Sequence, residues 1–513
     1  MLRFEVYQQG KSAKSVDLEA AYLIGSDQVP VRADIEFDKG QIQCTKRAQG
    51  PAALALLWPV QGFGRVMLET ARLPERAKPY NLHLELARGR LMRILQKRED
   101  WGLFDYAGAE PLSQEVDRAR DLMIKALQED DPVKIAACAD QSLALAMHVG
   151  EQLTLFHADI FLTRRRQTGQ LGRRVFGCFA NLLDRREAYA RRLLESFDFV
   201  TVPIPWRQIE PKEQQPEWEA VDEWVELLTR QRVPIKASPL VAFNEQNLPD
   251  WIYIWEHDFD TVRQLVYEHA KRVFERYGKF VQAWDVISGI HAENSFNFNF
   301  EQLMELTRVV ATAAKQSAPR ATAIIDLIAP WGEYFARNQR TIPPILYADM
   351  CSQSGINFDA IGLQFYFGLA REGMYVRDML QISAMLDRFA NLGKPLHLTA
   401  VQVPSAVTPD EADAWAGQIS VADGGEWHRP WNEQTQSLWL RDFLNIALSK
   451  PFVDTITWRD LTDAGPHYLP HGGLLHKDLT PKPAFHELTS VRAESAGSTV
   501  IDQQQRRAGP KSP

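Results

Sequence analysis

Acids, amides and aromatic rings in this chain gather just beyond a series of apolar runs. Trp206 and Glu210 follow "DFVTVPIPW", and Asn244 and Glu245 follow "PIKASPLVAF". Ser288, Gly289, His291, Glu293 and Asn294 follow "VQAWDVI", and Asp326, Trp331, Glu333 and Tyr334 close and follow "ATAIIDLIA". Gln364 and Tyr366 end "FDAIGLQFYF". Thr399, Ala400 and Gln402 end "PLHLTAVQV", with Trp427, His428 and Trp431 in the long stretch beyond it. Trp458, Asp460 and Asp463 close the series. Carboxyl groups can hold and pass protons, and Trp or Tyr can lay a flat apolar face against the C–H face of a sugar ring. Convergence of these groups at one place would make a carbohydrate groove.

The elements that must position them alternate in period. From about residue 173, strand-like runs rich in Val, Ile and Phe take turns with amphipathic helical runs such as "REAYARRLLESF", "EAVDEWVELLTRQ" and "FDTVRQLVYEHAKRVFERYG". Eight strands alternating with helices predict an α/β fold, a (β/α)8 TIM barrel, whose functional residues stand at the C-terminal ends of the strands. Before it, short alternating runs punctuated by Gly, Pro, Asp and Lys predict a small β-sandwich over 1–108, with "YNLHLELAR" as one of its strands. Residues 109–168 carry helical spacing and are expected to be a helical connector. The barrel is expected over 169–490. The polar tail 491–513 is expected to be disordered.

Composition narrows the function. The 513 residues exceed one ordinary domain, and 45% hydrophobic with 24% charged residues is usual for a globular chain. A formal net charge of −8 argues against nucleic-acid binding, which needs a basic face. The basic run around Arg164–Arg166 and Arg173–Arg174 reads as a solvated loop, with polyanion contact as the other reading. Fourteen Trp serve either as core filler or as the lining of a sugar groove. Cys44, Cys138, Cys178 and Cys351 lie far apart and read as free thiols, with no metal-ligand spacing and no cofactor motif. No run of about 18 apolar residues predicts a membrane span. The N-terminus "MLRFEVYQQG" lacks a signal-peptide core, so a cytoplasmic protein is expected, although a start site set too late would hide a secretion signal.

"FVQAWDVISG", "FDAIGLQFYF", "PLHLTAVQVP", "TITWRDLTD" and "GGLLHKDLTPKPAF", with "WRQIEP" and "NLPDW" before them, resemble in order the landmarks of glycoside hydrolase family 10. The resemblance covers roughly residues 175–490 and implies an endo-β-1,4-xylanase lineage with a β-linked, xylan-type polysaccharide or oligosaccharide as its partner. Such enzymes retain configuration, using an acid/base Glu and a nucleophile Glu about 5 Å apart. In the acid/base pattern W-D-V-x-N-E, Trp284, Asp285 and Val286 match, and Ser288 and Gly289 take the Asn and Glu places. In the nucleophile pattern T-E-x-D, Thr399 matches, Ala400 takes the Glu place and Gln402 the Asp place. Ser238 stands where the family has a strand-three His, and Tyr366 where it has a strand-six His.

Three readings stay open at this point. Relocated carboxylates could serve a hydrolase, with Glu333, Glu293 and Asp463 (or Asp460) as candidates, and an inverting pair would stand about 6.5–9.5 Å apart. A non-catalytic barrel could bind glycan through Trp206, Asn244, His291, Asn294, Gln364, Tyr366, Gln402, Trp427, His428 and Trp458. Ala400 could be a nucleophile knock-out of an active enzyme.

Overall fold

A computed structural model of the chain describes residues 1–103, 106–171, 175–338 and 340–507, with side chains to 495. Eight parallel strands close into a barrel in chain order: Phe176–Phe179, Phe199–Pro203, Ile235–Ser238, Ala283–Ser288, Thr322–Leu327, Ala360–Tyr366, Leu396–Gln402 and Val453–Trp458. They are called strands one to eight below. Strand eight returns to strand one, pairing Ile456 with Phe176 and Trp458 with Cys178. The helices Glu187–Ser196, Glu219–Arg230, Phe259–Tyr277, Phe300–Ser317, Pro344–Gln353, Met379–Ala390, Glu433–Ser449 and Pro483–Arg507 follow the strands in turn. Most strand residues are buried on both faces, which is why the strands read as nearly unbroken apolar runs. The expected TIM barrel is present.

Inside the barrel wall Lys236 and Asp285 form a buried ion pair at 3.0 Å. Burial outweighs the ammonium's pull and pushes the Asp285 carboxyl up to about 7. His397 near the start of strand seven is kept neutral by burial, its pKa pulled down to about 3, and its Nδ1 meets the Thr455 hydroxyl at 2.8 Å.

Ahead of the barrel lie a four-stranded and a five-stranded sheet, as the sandwich pattern predicts. One expected strand is a helix. "NLHLELAR" opens the helix Leu82–Asp100, whose N-cap Asn81 accepts from the Leu84 amide. Leu82, Leu84 and Leu86 alternate as in a strand, but Leu82, Leu86 and Ile94 continue along one buried helical face. That helix packs tightly on the strand Gly64–Glu69: a Cβ on Gly89 would lie 2.6 Å from the Glu69 carbonyl oxygen. The helices Glu110–Gln128 and Pro132–Gln167 complete the helical part.

Two further expectations are corrected. Arg164–Arg166 form the last turn of a helix, where Arg165 donates to the carbonyls of Leu448 and Lys450 and Arg166 pairs with Glu494 at 2.8 Å. These partners lie far along the chain, so the run looked like a free loop. Arg173 and Arg174 lie outside the described residues. The segment expected to be disordered from 491 begins inside the helix Pro483–Arg507, and 508–513 lie outside the described residues.

The N-terminal part is welded to the barrel. The strand Glu426–Trp427, from the loop after strand seven, pairs antiparallel with Gly64–Glu69 and becomes the edge of the five-stranded sheet. Gly64 has φ +123, and a Cβ there would lie 2.4 Å from the Glu426 oxygen, so only glycine permits this approach. Arg90 grips Asp378 with two buried bonds at 2.9 and 3.0 Å. The four cysteines are free, and no helix among the described residues is long and apolar enough to cross a membrane.

Candidate functional site

The floor of the barrel mouth is organised by Asp326, the next-to-last residue of strand five. Its buried carboxylate accepts from Ser288 Oγ at 2.5 Å, from Gln364 Nε2 at 2.6 Å and from Thr399 Oγ1. Strands four, six and seven are thereby tied to strand five through one anion. Gly362 lets the carboxylate sit against the wall, because a Cβ there would lie 2.6 Å from Asp326 Oδ1. A carboxylate with three donors fixed around it is a structural hub, and such charge-assisted bonds are stronger than neutral ones.

Ala400 lies in extended strand seven, buried, with Gln364 of strand six as its register partner. Gly289 is different. It follows strand four with φ +66, in the left-handed region, and its N–H donates to the Asp326 backbone carbonyl at 3.0 Å. A Cβ built on Gly289 would meet Ile328 Cδ1 at 3.1 Å. A side chain there would have to push the Ile328 methyl back by a few tenths of an ångström, on a backbone that L residues adopt at a cost of about 1–2 kcal/mol.

Above the floor stands a rim of aromatic and charged groups. Tyr366 packs on Tyr468 with ring centroids 4.5 Å apart, and Tyr468 meets Trp415 edge-on at 5.2 Å. Arg459 lies over Phe179 at 4.1 Å and over Tyr468 at 5.5 Å, and Arg371 lies 5.1 Å from the Trp415 ring centroid. Half-buried Glu293 accepts from Asn244 Nδ2 at 2.5 Å. Burial raises its pKa, opposed by the Asn244 bond and the charge of Arg371. Burial also pushes the Tyr468 hydroxyl up to about 12, with Glu293 adding to the effect. Asp460 accepts the Tyr468 backbone N–H at 2.8 Å. This rim can stack a ring, hydrogen-bond hydroxyls and attract an anion. Among the described residues no three His, Cys, Asp or Glu side chains are grouped to hold a metal ion.

Residues 170–491 match the sequence profile described as Glycosyl hydrolase family 10. The chain belongs to glycosyl hydrolase family 10. Its similarity to individual members is low. It is 21% identical over 294 residues to an endo-1,4-beta-xylanase/feruloyl esterase of Xylanibacter ruminicola, covering 52% of this chain and 38% of that protein. The match thus spans well under half of that relative's length. Among solved structures, native xylanase 10B from Thermotoga maritima is similar at TM-score 0.50 and 18% identity, covering 65% of this chain and 98% of that one. Xylanase 10B from Thermotoga petrophila in complex with xylobiose aligns at TM-score 0.47 and 19% identity, over 65% and 97% of the two chains. At 18% identity the likeness to the Thermotoga maritima xylanase shows the barrel fold alone.

Within this family-10 barrel the sequence-predicted residues divide sharply. Glu293, Asn244, Gln364 and Tyr366 meet at the mouth as described above. Glu333 does not reach it. Its carboxylate is buried against Arg377 and accepts the Gly373 N–H at 2.5 Å, while Arg377 also donates to Tyr22 of the N-terminal sheet at 3.1 Å. Asp463 is buried in an ion pair with Lys482 at 2.6 Å and accepts the Gly473 amide at 2.9 Å. Both acids are therefore fixed structural anions.

Most of the expected sugar-binding rings are packing elements. Trp206 is buried, stacked on His269 at 4.2 Å, and its indole donates to Glu210 at 2.9 Å. Trp458 is buried and donates to the Gly472 carbonyl at 3.1 Å. Trp427 and His428 sit at the junction with the N-terminal part, both bonded to Glu151, at 2.9 and 2.7 Å. His291 is fully buried, its Nδ1 2.6 Å from the Tyr334 hydroxyl and its Nε2 accepting the Ile328 amide at 3.3 Å. Burial drags its pKa down to about 3, so it stays neutral. Asn294 braces its own loop through both bonds to Phe298, and buried Gln402 accepts the Leu469 amide at 3.3 Å. Asp326 stood in the strand-end series of the sequence without an assigned role, and Arg371, Arg459 and Tyr468 were not singled out. Arg459 was within sight, since it directly follows the last residue of strand eight.

Proposed function

We propose that this chain is a glycan-binding member of family 10 that holds a β-linked, xylan-type chain at its barrel mouth without retaining hydrolysis. The observation that carries the reading is the end of strand four. The place that the family pattern gives to the acid/base holds a left-handed glycine, where a Cβ would crowd the Ile328 side chain at 3.1 Å. A point knock-out of an active enzyme would change the strand-seven residue and leave the strand-four backbone fit for a Glu. Here both places lack an acid. Loss of a nucleophile or of a proton donor removes many orders of magnitude of rate. Binding groups are partly distinct from reacting groups, so affinity can outlast catalysis. Tyr468 and Trp415 supply ring faces, backed by Tyr366, and Asn244, Gln364 and Glu293 supply polar contacts.

In this reading residues 1–108 and 109–168 act as a brace for the loop after strand seven, and 169–490 form the binding barrel. The test is titration calorimetry with xylohexaose alongside a reducing-end assay on the same sample. Saturable binding without new reducing ends is expected. Absence of binding to xylohexaose and to other β-linked oligosaccharides would defeat the proposal.

One observation favours a second reading. Glu293 is a mouth carboxyl whose pKa is raised by burial, as a proton donor requires. Hydrolysis of xylan that disappears in Glu293→Gln would establish it.

A further inference from the structure

Two arginines stand at the barrel mouth with no ion-pair or hydrogen-bond partner among the described residues. Arg459, half-buried, lies against the faces of Phe179 and Tyr468. Arg371, exposed in the loop after strand six, lies over one face of the Trp415 ring. Because Trp415 and Tyr468 touch at 5.2 Å, the two guanidinium groups bracket a single aromatic pair. Among the described residues neither side chain makes an ion pair or donates a hydrogen bond to a protein acceptor.

The acids that share the mouth are otherwise engaged. Glu293 holds the Asn244 amide, Asp460 caps the Tyr468 backbone N–H, and Asp326 is saturated by three donors on the floor. Glu372, next to Arg371, pairs with Arg337 at 3.0 Å. Arginine elsewhere in the molecule is treated differently: Arg90, Arg272 and Arg377 each have a carboxylate.

A guanidinium presents a planar fork of donors that fits a carboxylate with two parallel bonds. Placed on either side of a ring-stacking surface, two such forks define a ligand with an apolar ring face and an anionic edge. We propose that the mouth selects a sugar chain that carries a carboxylate, a uronic acid unit or substituent, with a ring against Trp415 and Tyr468 and the carboxylate facing Arg459 or Arg371. This rests on the glycan-binding reading and narrows its ligand from neutral to acidic chains.

The test is calorimetry on the full chain with three probes: a xylo-oligosaccharide bearing one glucuronic acid, the same oligosaccharide with its carboxyl reduced to the alcohol, and polygalacturonate fragments. The acidic xylo-oligosaccharide is expected to bind at least tenfold tighter than its reduced twin. That ratio should shrink in 0.5 M salt, because exposed charge contacts are screened. Arg371→Met and Arg459→Met should each move the ratio towards one. Arg371 is exposed, so its variant keeps the test valid if loss of the Arg459 stem against Phe179 prevents folding. Equal affinity for the acid and its reduced twin overturns the inference and leaves the glycan reading standing. Binding of polygalacturonate fragments alone supports the arginines' role and overturns the xylan-type backbone. Binding of none of the three overturns both.

Discussion

At the end of strand seven the chain is extended, and Ala400 lies opposite Gln364 where the register slips against both strand six and strand eight. At the end of strand four the chain turns through Gly289 at φ +66, hands its N–H to the Asp326 carbonyl, and packs Ile328 close against the place where a side chain would begin. Both places lack a carboxylate, yet they differ in how deeply the change is built in. Ala400 stays outside the left-handed region, so its backbone accepts any L side chain. At Gly289 the backbone and a neighbouring side chain have adapted to glycine. The contrast makes the strand-four end the harder of the two to restore.

Asp326 joins these two regions, since Ser288 and Thr399 both donate to it. Asp326→Ala would strand three donors in a buried place. Unfolding in urea should register a loss of about 3 kcal/mol or more. A loss under 1 kcal/mol would mean that the two strand ends are held independently. Next in size is the strain at the strand-four turn. Gly289→Ala should lose about 1–2 kcal/mol through the left-handed backbone alone. Adding Ile328→Ala should relieve the side-chain contact but leave the backbone part. An unchanged midpoint for Gly289→Ala would remove the basis for treating the two ends differently.

The third effect is a pH dependence that vanishes near neutrality. His291 lies two residues past Gly289, and its folded pKa of about 3 is below the ordinary value near 6.5. The unfolded chain therefore binds a proton that the folded chain refuses. Stability from this group is complete above about pH 6.5 and is lost as pH falls towards 3, by at most about 1.4 kcal/mol per pH unit. Asp285 works in the opposite sense. Its folded pKa of about 7 means that stability falls as pH rises from about 4 to 7. Melting curves across pH 4–8 should show a shallower acid slope in His291→Gln and a steeper one in Asp285→Asn.

The barrel was legible because strands buried on both faces and amphipathic helices leave strong, different periods in the sequence. The helix Leu82–Asp100 was hidden by three alternating leucines at its start. The site was less legible, for a physical reason. Residue type gives a chemical ability, while burial and partners decide its use. Glu333 and Asp463 looked available because Arg377 and Lys482 lie 44 and 19 residues further along the chain. Trp206, Trp427 and Trp458 looked like stacking platforms because a ring that faces the mouth and one that faces the core read alike. Arg371 and Arg459 gave no signal because an arginine lying over a ring and one in plain solvent read alike in a sequence.

The contrast between the two strand ends is tested most directly by Ala400→Glu on two substrates. An aryl xylobioside with a dinitrophenolate leaving group needs no proton donor, whereas xylan does. The account predicts a gain on the aryl glycoside, with turnover of xylan remaining at least about 10²-fold behind, since a general acid is worth about 10²–10⁴. An equal gain on xylan would contradict it and point to Glu293 as a surviving acid, and no gain on either substrate would show that strand seven has also lost its catalytic geometry.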